Sequence, residues 1–425
     1  NIIGLLRKLS INGDNLMKKV MILSLGGSPE PLKKSIAEHR PERLIFFASQ
    51  ESNAKLGEVL QIEGYKPLKI ETEIAENPNL LYECYKAARR CVDRASRLGV
   101  PDNDILVDYT GGTKVMSAAL LLATAGYAFS FNYVGGDIRS KDGLGVVQNG
   151  YEKMYADMNP WAAFAEEERR QIVTLFNARR FSSAIQILDL CKRELPAQIN
   201  AFFQFVRPLA NGFLFWEQFR HKEALDCLKQ GTALVDEYLK HYADDHYRQL
   251  RENLQDHIAY LSDILKKTSG LQNFDSILVK ELINNARRRM EDKRFDDAAA
   301  RIYRALELYG QICFEKKIGC SNDKVKPAKI PQELRDEFIR KYRDPQSDMM
   351  KLPLQATFTV LCAVGHEAGE KFFKYEDKIK NIQSARNKSI LAHGAQPVSE
   401  HAAQSILDTV TDFVQMKEFF DFPKL

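Results

Sequence analysis

The chain has 425 residues, of which 44% are hydrophobic and 28% are charged, a composition typical of globular proteins with ample apolar core. The net charge of +4 excludes a strong global attraction to nucleic acid, so any such contact would need a local basic patch. The seven cysteines are scattered without a C-x-x-C pair, which argues against a disulfide framework and favours a reducing cytoplasm. The apolar runs are too short to span a membrane.

The first sixteen residues, from Asn1 to Leu16, precede the stretch MKKVMILSLGG, which has the form of a natural start. They are mildly amphipathic and lack a small-residue cleavage site, so they make a poor signal peptide. We expect residues 1–16 to be a leader or an extension, and we assign them no function.

Between residues 17 and 160, short apolar runs alternate with segments of helical period. The runs predict strands at 20–25, 43–49, 68–74, 104–110, 129–134 and 144–148. Helical period is clearest at 80–98 and 114–127. This alternation predicts an α/β, Rossmann-like domain with a mostly parallel, doubly wound sheet in the order 3-2-1-4-5-6.

From residue 161 onward, apolar residues recur at intervals of three and four, which predicts helices. Three segments resemble each other, RRFSSAIQIL from Arg179, FRHKEALDCL from Phe219 and KRFDDAAARIY from Lys293. Their unequal intervals argue against a regular repeat array, so we interpret them as packed helical hairpins.

Turn residues around 266–276 predict a boundary, with Asp275 or Ser276 as the cap of the next helix. We therefore expect an all-α helical linker at 161–272, followed by a second all-α domain at 273–425. Its last long helices are predicted at 375–393 and 400–420.

Two loops rich in glycine and hydroxyl groups follow the first and fourth predicted strands. They carry Gly26, Gly27 and Ser28 in SLGGSPEP, and Thr110, Gly111, Gly112, Thr113 and Lys114 in DYTGGTK. Glycine lets backbone N–H groups approach a phosphate, and a following helix adds positive potential. Neither loop has the P-loop or G-x-G-x-x-G pattern, and two tight structural turns are the alternative. Because both loops fall at the switch point of the sheet, we favour a nucleotide site.

The stretch RNKSILAHG places Arg386 and His393 seven positions apart. On one helix they would share a face, about 10 Å apart along the axis. Gly394 and Pro397 would end that helix soon after His393, where the carbonyl dipoles favour a protonated ring. This suits a general acid acting on a phosphodiester, although a lone helical histidine is more often structural.

RNA cleavage by the 2′-hydroxyl needs two proton-transfer groups, and one copy of this stretch offers one histidine. A twofold dimer would supply the second, so we expect a composite site.

Two other polar stretches have simpler interpretations. HYADDHYRQLRENLQDH at 241–257 holds the nearest approach to metal-ligand spacing, and we interpret it as a solvated helix face, so we predict no metal site. The basic run NARRRMEDKR at 285–294 could guide RNA, but such runs are usually solvated faces.

LGGSPEPLKKSI and DYTGGTKVMSAAL resemble the CARF domain, the Rossmann-like sensor of type III CRISPR effectors, over residues 18–159. The resemblance implies a homodimer that binds a cyclic oligoadenylate through both glycine loops. It adds weaker candidate contacts after the second and fifth strands, namely Ser49, Asn53, Gly135 and Gly136.

RNKSILAHG also fits the R-x4–6-H signature of HEPN ribonucleases, and RFDDAAARIYRALELYGQ resembles an early helix of the HEPN bundle, within 274–425. The resemblance implies metal-independent cleavage of single-stranded RNA, leaving a 2′,3′-cyclic phosphate and a 5′-hydroxyl. It makes His393 the acid/base, places Arg386 at the scissile phosphate and gives Asn387 a supporting role.

Together these resemblances imply an endoribonuclease of CRISPR antiviral defence in the prokaryotic cytoplasm. Cyclic tetra- or hexa-adenylate would activate it, the helical linker would transmit the change, and no metal or other cofactor is expected. The sensor would also cut its own activator if Thr113 and Lys114 support that chemistry. The alternative is a nucleotide-responsive CARF regulatory protein without nuclease activity.

Overall fold

The computed structural model describes residues 19–136, 138, 147, 150–156, 161–191, 195–389 and 394–425, apart from the side chains at 156, 161–164, 385, 386 and 388. The chain divides into two compact units, Asn1–Arg170 with Cys191–Ile199, and Gln171–Leu190 with Asn200–Leu425. In the described part of the chain, each helix is too short or too polar to span a lipid bilayer.

The first unit is built on a six-stranded sheet. Its strands are β1 Val20–Ser24, β2 Arg43–Ser49, β3 Lys69–Ala75, β4 Ile105–Asp108, β5 Ser130–Gly135 and β6 Lys153–Ala156. They lie in the order β3-β2-β1-β4-β5-β6, with β1 to β5 parallel and β6 antiparallel to β5. The predicted order and the mostly parallel sheet are confirmed.

The edge strand β6 was not expected from the sequence. It has only four residues, KMYA, in which polar and apolar side chains are mixed, so it offers no continuous apolar run. The strand predicted at 144–148 falls outside the described residues except for Val147, which forms a single bridge.

Helices cover both faces of the sheet. In the first unit they are α1 Glu30–His39, α2 Gln50–Asn53, α3 Leu56–Val59, α4 Leu81–Ser96 and α5 Lys114–Thr124. Val20 and Ile22 of β1 face a core formed with α4 and α5, whereas Met21 and Leu23 face a core formed with α1. This alternation follows from the two-residue period of a strand, and it explains why β1 is apolar throughout.

Helices account for nearly all regular structure in the second unit. They are α6 Trp161–Asn177, α7 Phe181–Leu190, α8 Ala197–Glu217, α9 His221–His241, α10 Asp245–Lys267, α11 Ser276–Glu291, α12 Phe295–Ile318, α13 Gln332–Tyr342, α14 Leu354–Ala363, α15 Glu367–Lys374, α16 Glu376–Lys388 and α17 Glu400–Phe413. The first residues of α6 and of α8 are assigned to the first unit. Asp275 caps α11 by accepting a hydrogen bond from the Ile277 N–H at 3.0 Å.

The three similar segments are three helical hairpins with the same turn, which confirms their interpretation. Arg179, Phe219 and Lys293 each precede the second helix of a pair and have φ values of 56°, 60° and 58°. In each turn this residue donates its N–H to the carbonyl three positions earlier, and the next residue donates to the carbonyl five positions earlier. The shared sequence pattern therefore encodes a shared helix-ending turn.

The last helix ends earlier than predicted, at Phe413 rather than near residue 420. Gln415 takes a left-handed conformation with φ of 57°, which turns the chain out of the helix. The segment beyond it packs by its aromatic rings, since Phe420 stacks on Tyr260 and Phe422 contacts Phe213.

Candidate functional site

The two glycine loops contact each other at the carboxyl ends of β1 and β4. The Ser24 hydroxyl donates to the Gly111 carbonyl at 2.7 Å. A methyl group on Gly111 would lie 2.2 Å from the Ser24 carbonyl oxygen, and one on Gly26 would lie 2.4 Å from the Gly112 nitrogen. Both positions therefore require glycine, because any side chain would push the loops apart.

Next to this contact lies a cavity of about 210 Å³. Six of the residues that the sequence predicted as ligand contacts line it, namely Gly26, Gly27, Ser28, Thr110, Gly111 and Gly112. The structure thus brings the two predicted loops together at the switch point of the sheet, as the strand order required.

Two further residues of the second loop begin the helix that follows. Thr113 is the N-cap of α5, since its hydroxyl accepts from the Met116 N–H at 3.2 Å and donates to the Pro78 carbonyl at 2.8 Å. Lys114 is exposed at the first position of α5 and does not line the cavity.

The weaker candidates are not among the described residues that line the cavity. Ser49 caps α2 through a reciprocal pair of hydrogen bonds with Ser52, and Asn53 ends that short helix. Gly135 and Gly136 leave room for neighbouring side chains, because methyl groups there would lie 2.9 Å from the Tyr133 ring and 2.4 Å from Val147.

Two residues near the cavity were missed by the sequence analysis. Tyr133, on β5, lines the cavity, and its ring stacks on Tyr109 with a centroid distance of 5.6 Å and an interplanar angle of 21°. The Lys55 ammonium donates to the Gly27 carbonyl at 2.8 Å. Tyr133 could have been found as an aromatic residue two positions before a glycine pair at a strand end, but Lys55 carries no local signal.

A buried hydrogen-bond network holds the second loop in place. The Asp108 carboxylate ends β4 and accepts from the Thr110 N–H at 2.9 Å, from the Asn132 amide at 2.8 Å and from the Ser35 hydroxyl. Burial raises the pKa of the Asp108 carboxyl, although these hydrogen bonds favour its charged form. The Thr110 hydroxyl in turn accepts from the Val134 N–H at 2.8 Å, which fixes the loop against β5.

In the second unit, α16 does not continue to His393 as predicted. It ends at Lys388, and Ser389 instead pairs with Gln396 in an isolated bridge. The Ser389 hydroxyl donates to Asp296 at 2.6 Å, and its carbonyl accepts from the Gly394 N–H at 3.1 Å. These contacts take Ser389 out of the helix, so the helix predicted at 375–393 ends at Lys388. The expectation that Arg386 and His393 share one helix face depends on residues outside the described part.

The predicted catalytic residues are only partly described. Arg386 belongs to α16, but its side chain lies outside the described part, and so does all of His393. Asn387 is exposed in the last turn of α16. Their roles stay predictions from the sequence.

The basic run at 285–294 is neither a solvated face nor an RNA guide at its centre. Arg288 is 1% exposed and bonds to Glu217 at 2.5 Å and to Glu281 at 2.9 Å. Arg289 pairs with the same Glu217, and the Trp216 indole donates to Glu281 at 3.0 Å. The arginines therefore neutralise buried carboxylates that join α8 to α11.

The histidine-rich stretch at 241–257 is also only partly a solvated face. His257 is 5% exposed, and its ring nitrogens lie 2.6 Å from the Asn253 carbonyl and 2.8 Å from the Asp421 carbonyl. Among the residues that the structure describes, no group of three or more potential metal ligands lies close together.

Two family models match adjacent parts of the chain. One, described as the Csm6 6H domain, matches residues 164–265, and the other, described as the Csm6 HEPN domain, matches residues 267–417. Together they span more than half of the sequence, and they follow the Rossmann-like sheet domain along the chain. The chain belongs to the CARF–HEPN proteins of type III CRISPR systems.

Comparison with solved structures found similar chains at low sequence identity. Enterococcus italicus Csm6, bound to cyclic hexa-2′-fluoro-hexa-dAMP, has a TM-score of 0.58 and 14% identity, and the match covers 93% of this chain and 94% of that chain. Can2 from Sulfobacillus thermosulfidooxidans, in complex with cyclic tetra-adenylate, has a TM-score of 0.25 and 13% identity, covering 60% of this chain and 69% of that chain. A search of curated proteins found no match. The first likeness shows that this CARF–HEPN chain shares that protein's fold.

Proposed function

We propose that this CARF–HEPN protein is a cyclic-oligoadenylate-activated endoribonuclease that cleaves single-stranded RNA in antiviral defence in the prokaryotic cytoplasm. The observation that carries the proposal is the glycine-lined cavity beside Tyr133, on the same chain as a Csm6 HEPN match. Backbone N–H groups of the loops suit phosphate, and an aromatic ring suits a nucleobase. The E. italicus structure, bound to a cyclic oligonucleotide, supports the same class of ligand.

The size of the cavity supports a homodimer. A cyclic tetra- or hexa-adenylate is several times larger than a cavity of about 210 Å³, so most of the ring must extend beyond it. A second sensor domain related by a twofold axis would offer the same loops to the opposite side of the ring. The activator would then bridge two protomers.

The proposed cleavage uses His393 and Arg386 from two protomers. One imidazole takes the proton of the 2′-hydroxyl, whose oxygen attacks phosphorus, and the other imidazole protonates the departing 5′-oxygen. Arg386 neutralises the charge on the phosphate, and Asn387 supports the site. The products are a 2′,3′-cyclic phosphate and a 5′-hydroxyl, and the chemistry has no step that requires a metal ion.

Coupling between the sensor and the nuclease is proposed to be a shift between two populations of the dimer. The activator favours the state that it binds more tightly, and that state brings the two nuclease segments into register. Within the second unit, buried ion pairs from Glu217 and Glu281 to Arg288 tie the linker helix α8 to α11. We therefore propose that the linker helices move together with the nuclease helices.

The test uses purified full-length protein, labelled single-stranded RNA, EDTA, and cyclic tetra- or hexa-adenylate added in turn. We expect one of the two activators to induce cleavage with cyclic-phosphate ends, and His393→Ala to abolish cleavage while activator binding persists. RNA cleavage at the same rate with and without either activator would contradict activation by cyclic oligoadenylate. Cleavage that persists in His393→Ala would contradict the catalytic role of His393. Activator binding without any RNA cleavage would instead favour a regulatory protein. Linear adenylates in the same reactions would reveal degradation of the activator.

A further inference from the structure

Asp296 lies in the first turn of α12 and holds two separate parts of the chain. Its carboxylate accepts the Ser389 hydroxyl at 2.6 Å through Oδ1, and it accepts the Val398 N–H at 3.2 Å through each of its oxygens. Ser389 and Val398 are both buried, at 4% and 7% exposure. One half-buried carboxylate thus fixes two points that are nine positions apart in the sequence.

These two points enclose the stretch that contains His393 in the sequence. Ser389 follows Arg386 by three positions, and Val398 follows His393 by five. The ends of the stretch also contact each other, because Ser389 pairs with Gln396 and its carbonyl accepts the Gly394 N–H at 3.1 Å. The described residues on either side of His393 are therefore anchored to the same side chain.

Asp296 is itself held on a rigid element. It belongs to the first turn of α12, where the N–H groups of the helix start favour a carboxylate. The next turns of α12 are packed in the core of the second unit, with Ala298, Ala299 and Ile302 almost fully buried. Because Asp296 lies on such a helix, it cannot move without the core. It therefore holds Ser389 and Val398, to which it is hydrogen-bonded, in place.

We infer that Asp296 is a positioning residue of the nuclease site, which sets the backbone path on both sides of His393. The inference rests on the proposed function, because it assigns Asp296 to the site in which His393 transfers a proton. Asp296 acts through Ser389 and Val398, not on the RNA. Loss of the anchor leaves the proton-transfer group present but misplaced, which lowers kcat more than the affinity for RNA.

The neighbouring Asp297 provides a matched control. It lies in the same first turn, but it pairs with Arg294 and Arg301 and is not bonded to the 389–398 stretch in the described structure. Asp297→Ala removes the same charge from the same end of α12. Any effect of charge on helix stability is therefore shared by both variants, and only Asp296→Ala removes the anchor.

The experiment compares Asp296→Ala, Ser389→Ala and Asp297→Ala in activator-dependent RNA cleavage by the full chain. We expect kcat to fall about 100-fold in Asp296→Ala, with a smaller fall in Ser389→Ala, while the KM for RNA stays within about twofold. Asp296→Asn keeps an acceptor oxygen and should recover part of the loss. Equal kcat values for Asp296→Ala and Asp297→Ala would overturn the inference.

Hydrogen exchange separates failure of this inference from failure of the proposed function. We expect backbone amides in the 389–398 peptide to exchange faster in Asp296→Ala than in Asp297→Ala, whether or not the protein cleaves RNA. Unchanged exchange would show that Asp296 does not hold this stretch in place, and it would overturn the inference even if His393-dependent cleavage is found. If the wild-type protein itself does not cleave RNA, faster exchange in Asp296→Ala would show that the hydrogen bonds exist without a catalytic role. That result would contradict the proposed function itself.

Discussion

At the scale of single residues, Tyr133 has the only aromatic ring among the described residues that line the cavity. If a base of the activator stacks there, Tyr133→Ala should weaken binding of cyclic oligoadenylate about tenfold or more, since base stacking contributes roughly 1–3 kcal/mol. Tyr133→Phe keeps the stacking face and should bind like the wild type. Isothermal titration calorimetry on the three proteins measures this, and equal affinity for Tyr133→Ala would place the bases elsewhere.

His221 gives the fold a defined response to acid. It is 1% exposed, and neither ring nitrogen has a hydrogen-bond partner in the described structure. Burial, with the nearby Arg288 charge, lowers the pKa of His221 from 6.5 to about 4. The unfolded chain therefore binds a proton below about pH 6.5, whereas the folded chain does so only near pH 4, so stability falls as the pH drops through this window.

The expected loss is on the order of 3 kcal/mol between pH 6.5 and pH 4. His221→Phe keeps an aromatic ring beside Phe219 and removes the titration, so its unfolding midpoint in urea should depend less on pH over this range. A pH dependence equal to that of the wild type would show that other groups cause the loss.

The sequence predicted the glycine site better than its surroundings. Gly26 and Gly111 belong to loops next to apolar strands, so their place in the sheet follows from strand order. Lys55 and Asp296 could not be predicted in the same way, because their partners Gly27 and Ser389 are remote in the sequence. The chemistry of His393 still depends on the motif alone.

At the scale of elements, the three hairpin turns place residues other than glycine in the left-handed conformation. Lys293 is exposed and has φ of 58°, where a side chain costs roughly 1 kcal/mol relative to glycine. Lys293→Gly should therefore raise the free energy of unfolding by up to about 1 kcal/mol. Chemical denaturation measures the change.

Lys293→Ala is the control for this prediction, because it removes the same charge and keeps the Cβ atom. It should be less stable than Lys293→Gly. If the two variants unfold at the same denaturant concentration, the turn carries no such strain.

The elements that were predicted correctly are those set by local pattern. Continuous apolar runs predicted β1 to β5, and periodic segments predicted α4 and α5. The early end of α16 was missed because Ser389 leaves the helix to bond with Asp296, far away in the sequence. The basic run was misinterpreted for the same reason, since its carboxylate partner Glu217 lies on α8.

At the scale of the whole molecule, the second unit joins the segments that match the 6H and HEPN models. The tail after α17 reinforces this connection, because the Leu425 N–H donates to Asn177 at 2.8 Å and the Phe420 N–H donates to Asn284 at 3.1 Å. The domain limits 17–160, 161–272 and 273–425 stay predictions. Their last boundary lies near the junction of the two family matches, at residues 265–267.

The most direct test of the central claim, that the glycine cavity controls RNA cleavage, is the activator response of Gly111→Ala. A methyl group there meets the Ser24 carbonyl at 2.2 Å and must open the loops, whereas one on Gly57 meets nothing within 4 Å, so Gly57→Ala is the control. We expect cyclic oligoadenylate to raise the cleavage rate of the wild type and of Gly57→Ala, but not that of Gly111→Ala. A normal response of Gly111→Ala would contradict the account.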